Sequence, residues 1–247
     1  MRKVALITGG ARGIGRTIAE TLANEGYIVV INYNSSVERA FKFKAQLENE
    51  KKECMFVCAD ISKENQVKAM VDAIMDKYGR IDVLVNNSAI TNDTLFPEKN
   101  AESFRRVFDV NIIGAFNVSK LVGDIMFNQK YGKIINISST NGINTYYPMC
   151  IEYDASKSAL ISLTHNLAIQ FAPYVNVNAV APGFIATESE LEGVDEDFVK
   201  LESEKVLLKR AGTEEDVANL VSFLASDKSS FINNEVIRID GGVYGNF

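Results

Sequence analysis

The 247-residue sequence has no tryptophan, a single histidine, three cysteines and four prolines. Because His165 is the only histidine, a metal centre built on imidazole ligands is disfavoured, and we expect no metal site. An odd number of cysteines gives no disulfide framework and is typical of a reducing compartment such as the cytoplasm. We therefore interpret Cys54, Cys58 and Cys150 as buried free thiols in a cytoplasmic protein.

The sequence also lacks an excess of basic residues and an unbroken apolar run of membrane-spanning length. It has 26 Lys and Arg against 32 Asp and Glu and a pI near 5.0, which argues against nucleic-acid binding. No apolar run approaches the roughly 20 residues of a membrane span. The chain enters a predicted strand at Val4, which leaves no room for a signal peptide. We expect neither nucleic-acid nor membrane partners.

Predicted strands and helices alternate along the whole chain. Apolar runs predict strands at residues 4–7, 28–31, 54–57, 83–85, 134–137, 175–180 and 236–239. Helical periodicity predicts helices at residues 37–50, 67–78, 104–127, 156–171 and 216–225, besides one that begins near Gly13. This alternation predicts an α/β fold, a doubly wound parallel sheet (Rossmann fold) with helices on both faces. The length suits one domain over residues 1–247.

A glycine-rich turn joins the first predicted strand to the first predicted helix. Gly9, Gly13 and Gly15 permit unusual backbone angles and a close approach to a ligand. The helix that begins near Gly13 offers unpaired N–H groups and a positive dipole end to a pyrophosphate. The turn therefore predicts a dinucleotide site, and a tight strand–helix turn that binds nothing is the alternative.

Tyr153 and Lys157 lie four residues apart and share one face of a predicted helix. A free phenol has a pKa near 10, which is too high for efficient acid–base work at neutral pH. A nearby ammonium lowers that pKa by stabilising the phenolate. The pair predicts a phenol that protonates a carbonyl oxygen while a nicotinamide delivers hydride. An ordinary half-buried helix tyrosine is the alternative.

In their order along the chain, these motifs resemble the classical short-chain dehydrogenase/reductase family. The glycine spacing, the Asn-Asn pair after the fourth strand, the Asn-x-x-Gly stretch, the serine ending the fifth strand and a Pro-Gly segment all match. The resemblance implies four catalytic residues: Asn111 supporting a water path, Ser139 binding the substrate oxygen, and Tyr153 with Lys157. Ser138 is interpreted as a structural serine. The resemblance also implies a substrate lid near residues 184–208, and an ordinary solvated loop is the alternative for its polar part.

The resemblance also implies where the dinucleotide binds. Lys157 would contact the nicotinamide ribose, Asp60 would lie near the adenine ring and Asn87 near the adenine ribose. The full set of expected cofactor contacts is Gly9, Arg12, Gly13, Ile14, Gly15, Tyr33, Asn34, Asp60, Ile61, Asn87, Ser88, Ala89, Tyr153, Lys157, Pro182, Gly183, Ile185 and Thr187.

The choice between the two nicotinamide cofactors rests on the end of the second strand. An NAD enzyme places a carboxylate there for the ribose 2′-hydroxyl. Residues 31–36 contain no acid, and the position expected for it falls near Tyr33. Arg12 supplies positive charge at the same place. We therefore expect NADP(H) to be favoured over NAD(H).

The substrate is less well determined by the sequence. Among family members the chain most resembles 3-oxoacyl-acyl-carrier-protein reductases, and the family implies a homotetramer. Residues 188–205 carry eight acids and two lysines, which disfavours approach of an acidic carrier protein. A small ketone, sugar or polyol is therefore an open alternative substrate. A dinucleotide-binding regulator without turnover is a third reading. We also expect Tyr244 and Phe247 to make a contact between subunits.

Overall fold

The computed structural model describes residues 2–144, 146–192 and 195–243. Seven parallel strands form one sheet in the order β3-β2-β1-β4-β5-β6-β7. Their bounds are β1 Val4–Ile7, β2 Ile28–Tyr33, β3 Cys54–Cys58, β4 Val83–Asn86, β5 Gly132–Ile137, β6 Val175–Pro182 and β7 Val236–Ile239. The predicted doubly wound parallel sheet is confirmed.

Nine α-helices connect and flank the strands within the described residues. They are α1 Gly13–Asn24, α2 Val37–Asn49, α3 Glu64–Tyr78, α4 Ala101–Phe108, α5 Ala115–Gln129, α6 Ile151–Gln170, α7 Glu188–Leu191, α8 Glu196–Glu204 and α9 Glu214–Ala225. Short 3-10 turns lie at Phe96–Glu98, Thr140–Gly142 and Asp227–Ser229.

Apolar side chains cover both faces of the sheet. β1, β4 and β5 are buried along their whole length, as expected for central parallel strands covered by helices. One core packs α1, α2 and α9 on the sheet, and the other packs α3, α5 and α6. Burial of this apolar surface is the main drive for folding, and it leaves the strand ends, the loops and the ends of helices to carry function.

Two predicted helices differ from the observed ones. The segment predicted as one helix at residues 104–127 is α4 and α5, joined by a π-helical turn at Asp109–Gly114. A π turn keeps the helical direction, which is why apolar periodicity did not reveal it. α6 begins at Ile151 rather than at 156. Its first turn is polar, and carboxylates there are favoured by the helix dipole.

The three cysteines are free, but the expectation that all are buried is wrong for Cys58. Cys150 is buried and Cys54 half-buried, whereas Cys58 is exposed. Cys58 ends β3, the edge strand, so that no neighbouring strand covers its outer side. Because side chains alternate along a strand, Cys54 and Cys58 lie on the same face of β3, but that alternation does not determine how far each is buried.

Residues 101–129 form one continuous helical stretch of 29 residues. Measured by mean hydropathy rather than by an unbroken apolar run, this helical stretch is long and apolar enough to span a bilayer, and half of its most apolar window is buried inside the protein. Val118, Val122 and Met126 in α5 pack into the core. The apolar character is therefore accounted for, in good part, by packing on the sheet.

The acidic segment expected to form a lid folds into α7 and α8 rather than a plain loop. Asp195 caps α8 by accepting from the Phe198 N–H at 2.8 Å. Arg39 of α2 pairs with Glu188 at 3.2 Å and with Glu192 at 3.9 Å. The contact predicted for Tyr244 and Phe247 lies outside the described residues.

Candidate active site

The glycine turn has the geometry of an anion cradle. Gly9 and Gly13 have φ angles of +63° and +55°, a region that L side chains rarely adopt. A Cβ on Gly15 would lie 2.4 Å from Asn87 Nδ2 and 2.6 Å from the Gly9 carbonyl oxygen. Arg12 occupies the N-cap position of α1, and its side chain makes no capping hydrogen bond. The N–H groups of the first turn are therefore open to a pyrophosphate, and the residues present fit a dinucleotide.

Asn87 and Thr8 hold this cradle in shape. Asn87 Nδ2 donates to the carbonyl oxygens of Thr8 at 3.0 Å and Gly9 at 3.2 Å. The buried Thr8 hydroxyl accepts from the N–H groups of Asn87 and Ser88, at 3.0 and 3.1 Å. The amide of Asn87 is therefore committed to the glycine turn. Thr8 was missed as a functional residue, although its position directly before the glycines was a usable signal.

The residues expected at the adenosine end follow β2 and β3. Tyr33 ends β2 half-buried and Asn34 follows it exposed, with no carboxylate in residues 33–36. Asp60 Oδ1 accepts from the N–H of Ser62 at 2.9 Å and from its hydroxyl at 2.7 Å, so it stabilises the turn after β3. Ile61 is buried, with its side chain close to Gly114, and its carbonyl oxygen accepts from Asn117 Nδ2 at 3.1 Å.

The residues expected at the nicotinamide end follow β6. Pro182 is the last residue of this strand, and the Gly183 N–H donates to the Ile239 carbonyl oxygen at 3.0 Å. Ile185 and Thr187 are both buried. All the predicted cofactor residues therefore lie at or just beyond the carboxyl edge of the sheet, where doubly wound folds bind ligands.

Tyr153 and Lys157 are neighbours on the first turns of α6. Lys157 is completely buried and its ammonium donates to the Ile137 carbonyl oxygen at 2.7 Å. Its Nζ lies 5.2 Å from the centroid of the Tyr153 ring. Burial lowers the pKa of Lys157 to about 7, because a buried ammonium loses its hydration. A negative charge on the phenol would in turn favour the charged form of the lysine.

The two adjacent serines differ in their surroundings. Ser138 is buried and its hydroxyl donates to the Lys157 carbonyl oxygen at 3.0 Å. Ser139 is half-buried, and its Oγ accepts from the Asn141 N–H at 3.1 Å while its hydroxyl proton is free to point elsewhere. The geometry therefore ties Ser138 to the backbone of α6 and leaves Ser139 half-buried, just beyond the carboxyl end of β5.

Asn111 lies buried in the π turn. Its Oδ1 accepts from the Ile90 N–H at 2.8 Å, and its Nδ2 donates to the Ile90 carbonyl oxygen at 3.0 Å and to Ser156 Oγ at 2.9 Å. Ser156 Oγ in turn donates to the Tyr153 carbonyl oxygen at 2.7 Å. The side chain of Asn111 therefore joins the loop after β4 to the turn of Tyr153. Its support of a water path stays a prediction.

Comparisons with known proteins agree with this geometry. The family model described as Enoyl-(Acyl carrier protein) reductase matches residues 9–244. The 3-oxoacyl-[acyl-carrier-protein] reductase FabG of Staphylococcus epidermidis is 38% identical over 245 residues, covering 99% of this chain and 100% of the relative. FabG of Thermotoga maritima is 38% identical, covering 98% of this chain and 97% of its own length.

A solved structure similar to this chain is a gluconate 5-dehydrogenase from Burkholderia cenocepacia in complex with NADP and tartrate. The TM-score is 0.92 at 31% identity, covering 99% of this chain and 96% of the other. The sequence relatives and this solved structure are thus oxidoreductases similar to this chain over nearly its whole length. Their substrates differ: a 3-oxoacyl group on a carrier protein for the relatives, and gluconate for the solved structure.

We predict that Gly15→Ala lowers dinucleotide affinity at least about tenfold. The added methyl group would displace the Asn87 amide and the Gly9 carbonyl and so open the cradle. Fluorescence titration with NADPH measures the effect. Gly26→Ala is the matched control, at the other end of α1: its φ of +91° makes the change costly for stability, but nothing lies within 4 Å of the new Cβ. Unchanged affinity in Gly15→Ala would contradict the cradle.

Proposed function

This chain belongs to the short-chain dehydrogenase/reductase family, and from that premise we propose that it reduces the 3-oxo group of an acyl thioester held on an acyl carrier protein, with NADPH. It is an NAD(P)-dependent oxidoreductase of the 3-oxoacyl-acyl-carrier-protein reductase type, so the reading as a regulator without turnover is not retained. The observation that carries the proposed chemistry is the Tyr153 ring beside a fully buried Lys157, at the same sheet edge as the glycine cradle.

The chain's own residues have distinct parts in the proposed reaction. When bound, the nicotinamide supplies hydride to the carbonyl carbon. Ser139 would donate a hydrogen bond to the carbonyl oxygen and so stabilise the charge that develops there. Tyr153 would deliver its phenolic proton to that oxygen, because the ammonium of Lys157 stabilises the phenolate left behind. The buried hydrogen bond to Ile137 keeps that ammonium in place.

The surface around the entrance supports a small carbonyl substrate as the second candidate. Glu188 and Glu192 of the proposed lid have side chains that are 69% and 66% exposed. Lys130 and Lys133, the lysines that the sequence offers to an acidic partner, lie just before and at the amino end of β5, the sheet edge opposite the site. Lys133 is also buried and donates to Asn176 Oδ1 at 2.9 Å, so it offers no charge to a partner at the entrance. Similarity to a gluconate 5-dehydrogenase favours a polyol or sugar acid on the same chemistry.

We propose that the subunits form a cytoplasmic homotetramer with two-fold axes. The support is apolar surface on two helices: Phe116 and Phe127 on α5 are exposed, and Ile169 on α6 is 74% exposed. Monomeric proteins seldom expose such clusters. Light scattering at micromolar concentration should give a mass of four subunits, and a monomer would overturn the assignment.

Tyr153→Phe should lower turnover by about two orders of magnitude or more with little change in NADPH affinity, since it removes a proton donor used in the transition state. Lys157→Ala should weaken both turnover and NADPH binding. Ser139→Ala should be severe and Ser138→Ala mild, measured as kcat with a 3-oxoacyl substrate. The reverse order for the two serines would assign the substrate hydrogen bond to Ser138.

NADPH should bind at least about tenfold more tightly than NADH, because no carboxylate faces the ribose 2′ position and Arg12 supplies a cation. Tyr33→Asp should move the preference towards NADH by repelling the 2′-phosphate. Fluorescence titration of both cofactors tests this. Equal affinities in the unchanged protein would refute the preference.

A salt titration separates the two substrate classes. A reductase that attracts an acidic carrier should lose carrier affinity as salt rises, because salt screens the attraction. Repulsion by the acidic lid predicts a rise in affinity with salt, or no binding at any salt concentration. The readout is the KM for carrier-bound substrate, with a neutral ketone of similar size as the salt control. A rise with salt, or no use of the carrier, would favour the small-carbonyl candidate.

A further inference from the structure

The residue before Tyr153 takes part in a buried ion pair. The carboxylate of Glu152 is fully buried and lies 2.8 Å from the ammonium of Lys99, whose side chain is only 5% exposed. Asn92 Nδ2 donates to the same carboxylate at 3.2 Å, and Lys99 also donates to the Asn92 carbonyl oxygen. The first turn of α6 is thereby bound to residues 91–100, the segment that follows β4.

The residue after Tyr153 is a second buried carboxylate, with different partners. Asp154 Oδ1 accepts from Asn141 Nδ2 at 2.7 Å, and its Oδ2 accepts from the Tyr147 N–H at 2.9 Å. The Cys150 thiol lies 3.4 Å from Oδ1. This carboxylate binds the loop that carries Ser139 to the same helical turn.

Tyr153 therefore lies between two residues that are each anchored to a different loop: Glu152 to the segment after β4 and Asp154 to the loop after β5. The segment after β4 and the loop after β5 both border the site, and neither has another described charged contact to the first turn of α6. Because Glu152 and Lys99 neutralise each other, removal of either partner leaves a net buried charge one residue from Tyr153. Such a charge is poorly screened.

We propose that Glu152 and Asp154 are positioning residues for Tyr153: Glu152, balanced by Lys99, sets the proton affinity of the phenol, and Asp154 holds the substrate-side loop against it. This inference rests on the proposed role of Tyr153 as the proton donor. Glu152 and Asp154 would thus act on the reaction through Tyr153, although neither belongs to the Tyr153–Lys157 motif.

Several other charged groups lie on the elements around Tyr153 and contribute to the pH dependence of its phenol. On α6 these are Lys157, Glu152 and Asp154. On the segment after β4 they are Lys99 and the exposed Asp93 and Glu98. α4 and the π turn contribute exposed side chains that water screens: Glu102, Arg105, Arg106 and Asp109. Residues 139–144 and 146–150, the described part of the loop after β5, carry no charged residue.

The decisive experiment is the pH dependence of carbonyl reduction in charge variants of the pair. In this direction the rate falls as the phenol deprotonates. Glu152→Gln leaves an extra positive charge, so its alkaline limb should move to lower pH by about half a unit or more. Lys99→Met leaves an extra negative charge and should move the limb to higher pH. The double variant should return it close to the original position.

Lys68→Met is the matched control, since it makes the same change in the exposed pair with Asp72 on α3 and should leave the limb unmoved. Shifts in the same direction, or none, in the two single variants would overturn the proposal and leave a purely structural ion pair. If Tyr153→Phe retains turnover, the proposed function fails instead, so the two failures are distinguishable.

Asp154→Asn tests the second anchor and stays informative if the Lys99 and Glu152 single variants do not fold. It should raise the KM for the carbonyl substrate several-fold and move the alkaline limb to lower pH, while the affinity for NADPH measured by fluorescence is unchanged. Asn141→Ala should raise the same KM, and the double variant should add little further. An unchanged KM and limb in Asp154→Asn would overturn the positioning role.

Discussion

Parallel pairing of all seven strands is the constraint on which the site depends. Each crossover, on whichever face of the sheet it runs, brings the chain back to the amino-terminal edge, so that every strand ends at the opposite, carboxyl edge. The glycine turn after β1, Asn87 after β4, Ser139 after β5 and Gly183 after β6 meet there for this reason alone. The helical residues proposed to take part in the chemistry lie near the amino-terminal ends of α1 and α6 and in the π turn before α5, where N–H groups or side chains reach this edge.

Burial then determines what the meeting residues can do. Lys157 has lost its hydration, keeps one hydrogen bond to the Ile137 carbonyl and has its pKa brought down to about 7. At the surface, the ammonium of a lysine would be hydrated and mobile, and water would screen its effect on the phenol. The Lys99–Glu152 pair is buried in the same way, so each of its charges is stabilised by the other rather than by water.

The relatives separate chemistry from recognition. A 3-oxoacyl-acyl-carrier-protein reductase and a gluconate 5-dehydrogenase both align over nearly the whole chain. The fold is common to proteins with different substrates, so it constrains the reaction class more than the substrate. The acidic segment around α7 and α8, proposed as the lid, and the loops after β4 and β5 are the parts near the site with the fewest constraints from the sheet.

Local pattern was enough to predict the strands, most helices and the approximate position of every motif, because strand periodicity, glycine turns and residue spacing are properties of short stretches. The sequence by itself therefore determined the doubly wound sheet and the Tyr153–Lys157 pair. Only the tertiary structure decided that the amide of Asn87 clamps the glycine turn, that a π turn carries Asn111, that Cys58 is exposed and that Lys99 pairs with Glu152. Those features depend on contacts between residues far apart in the chain, whose partners no local pattern specifies.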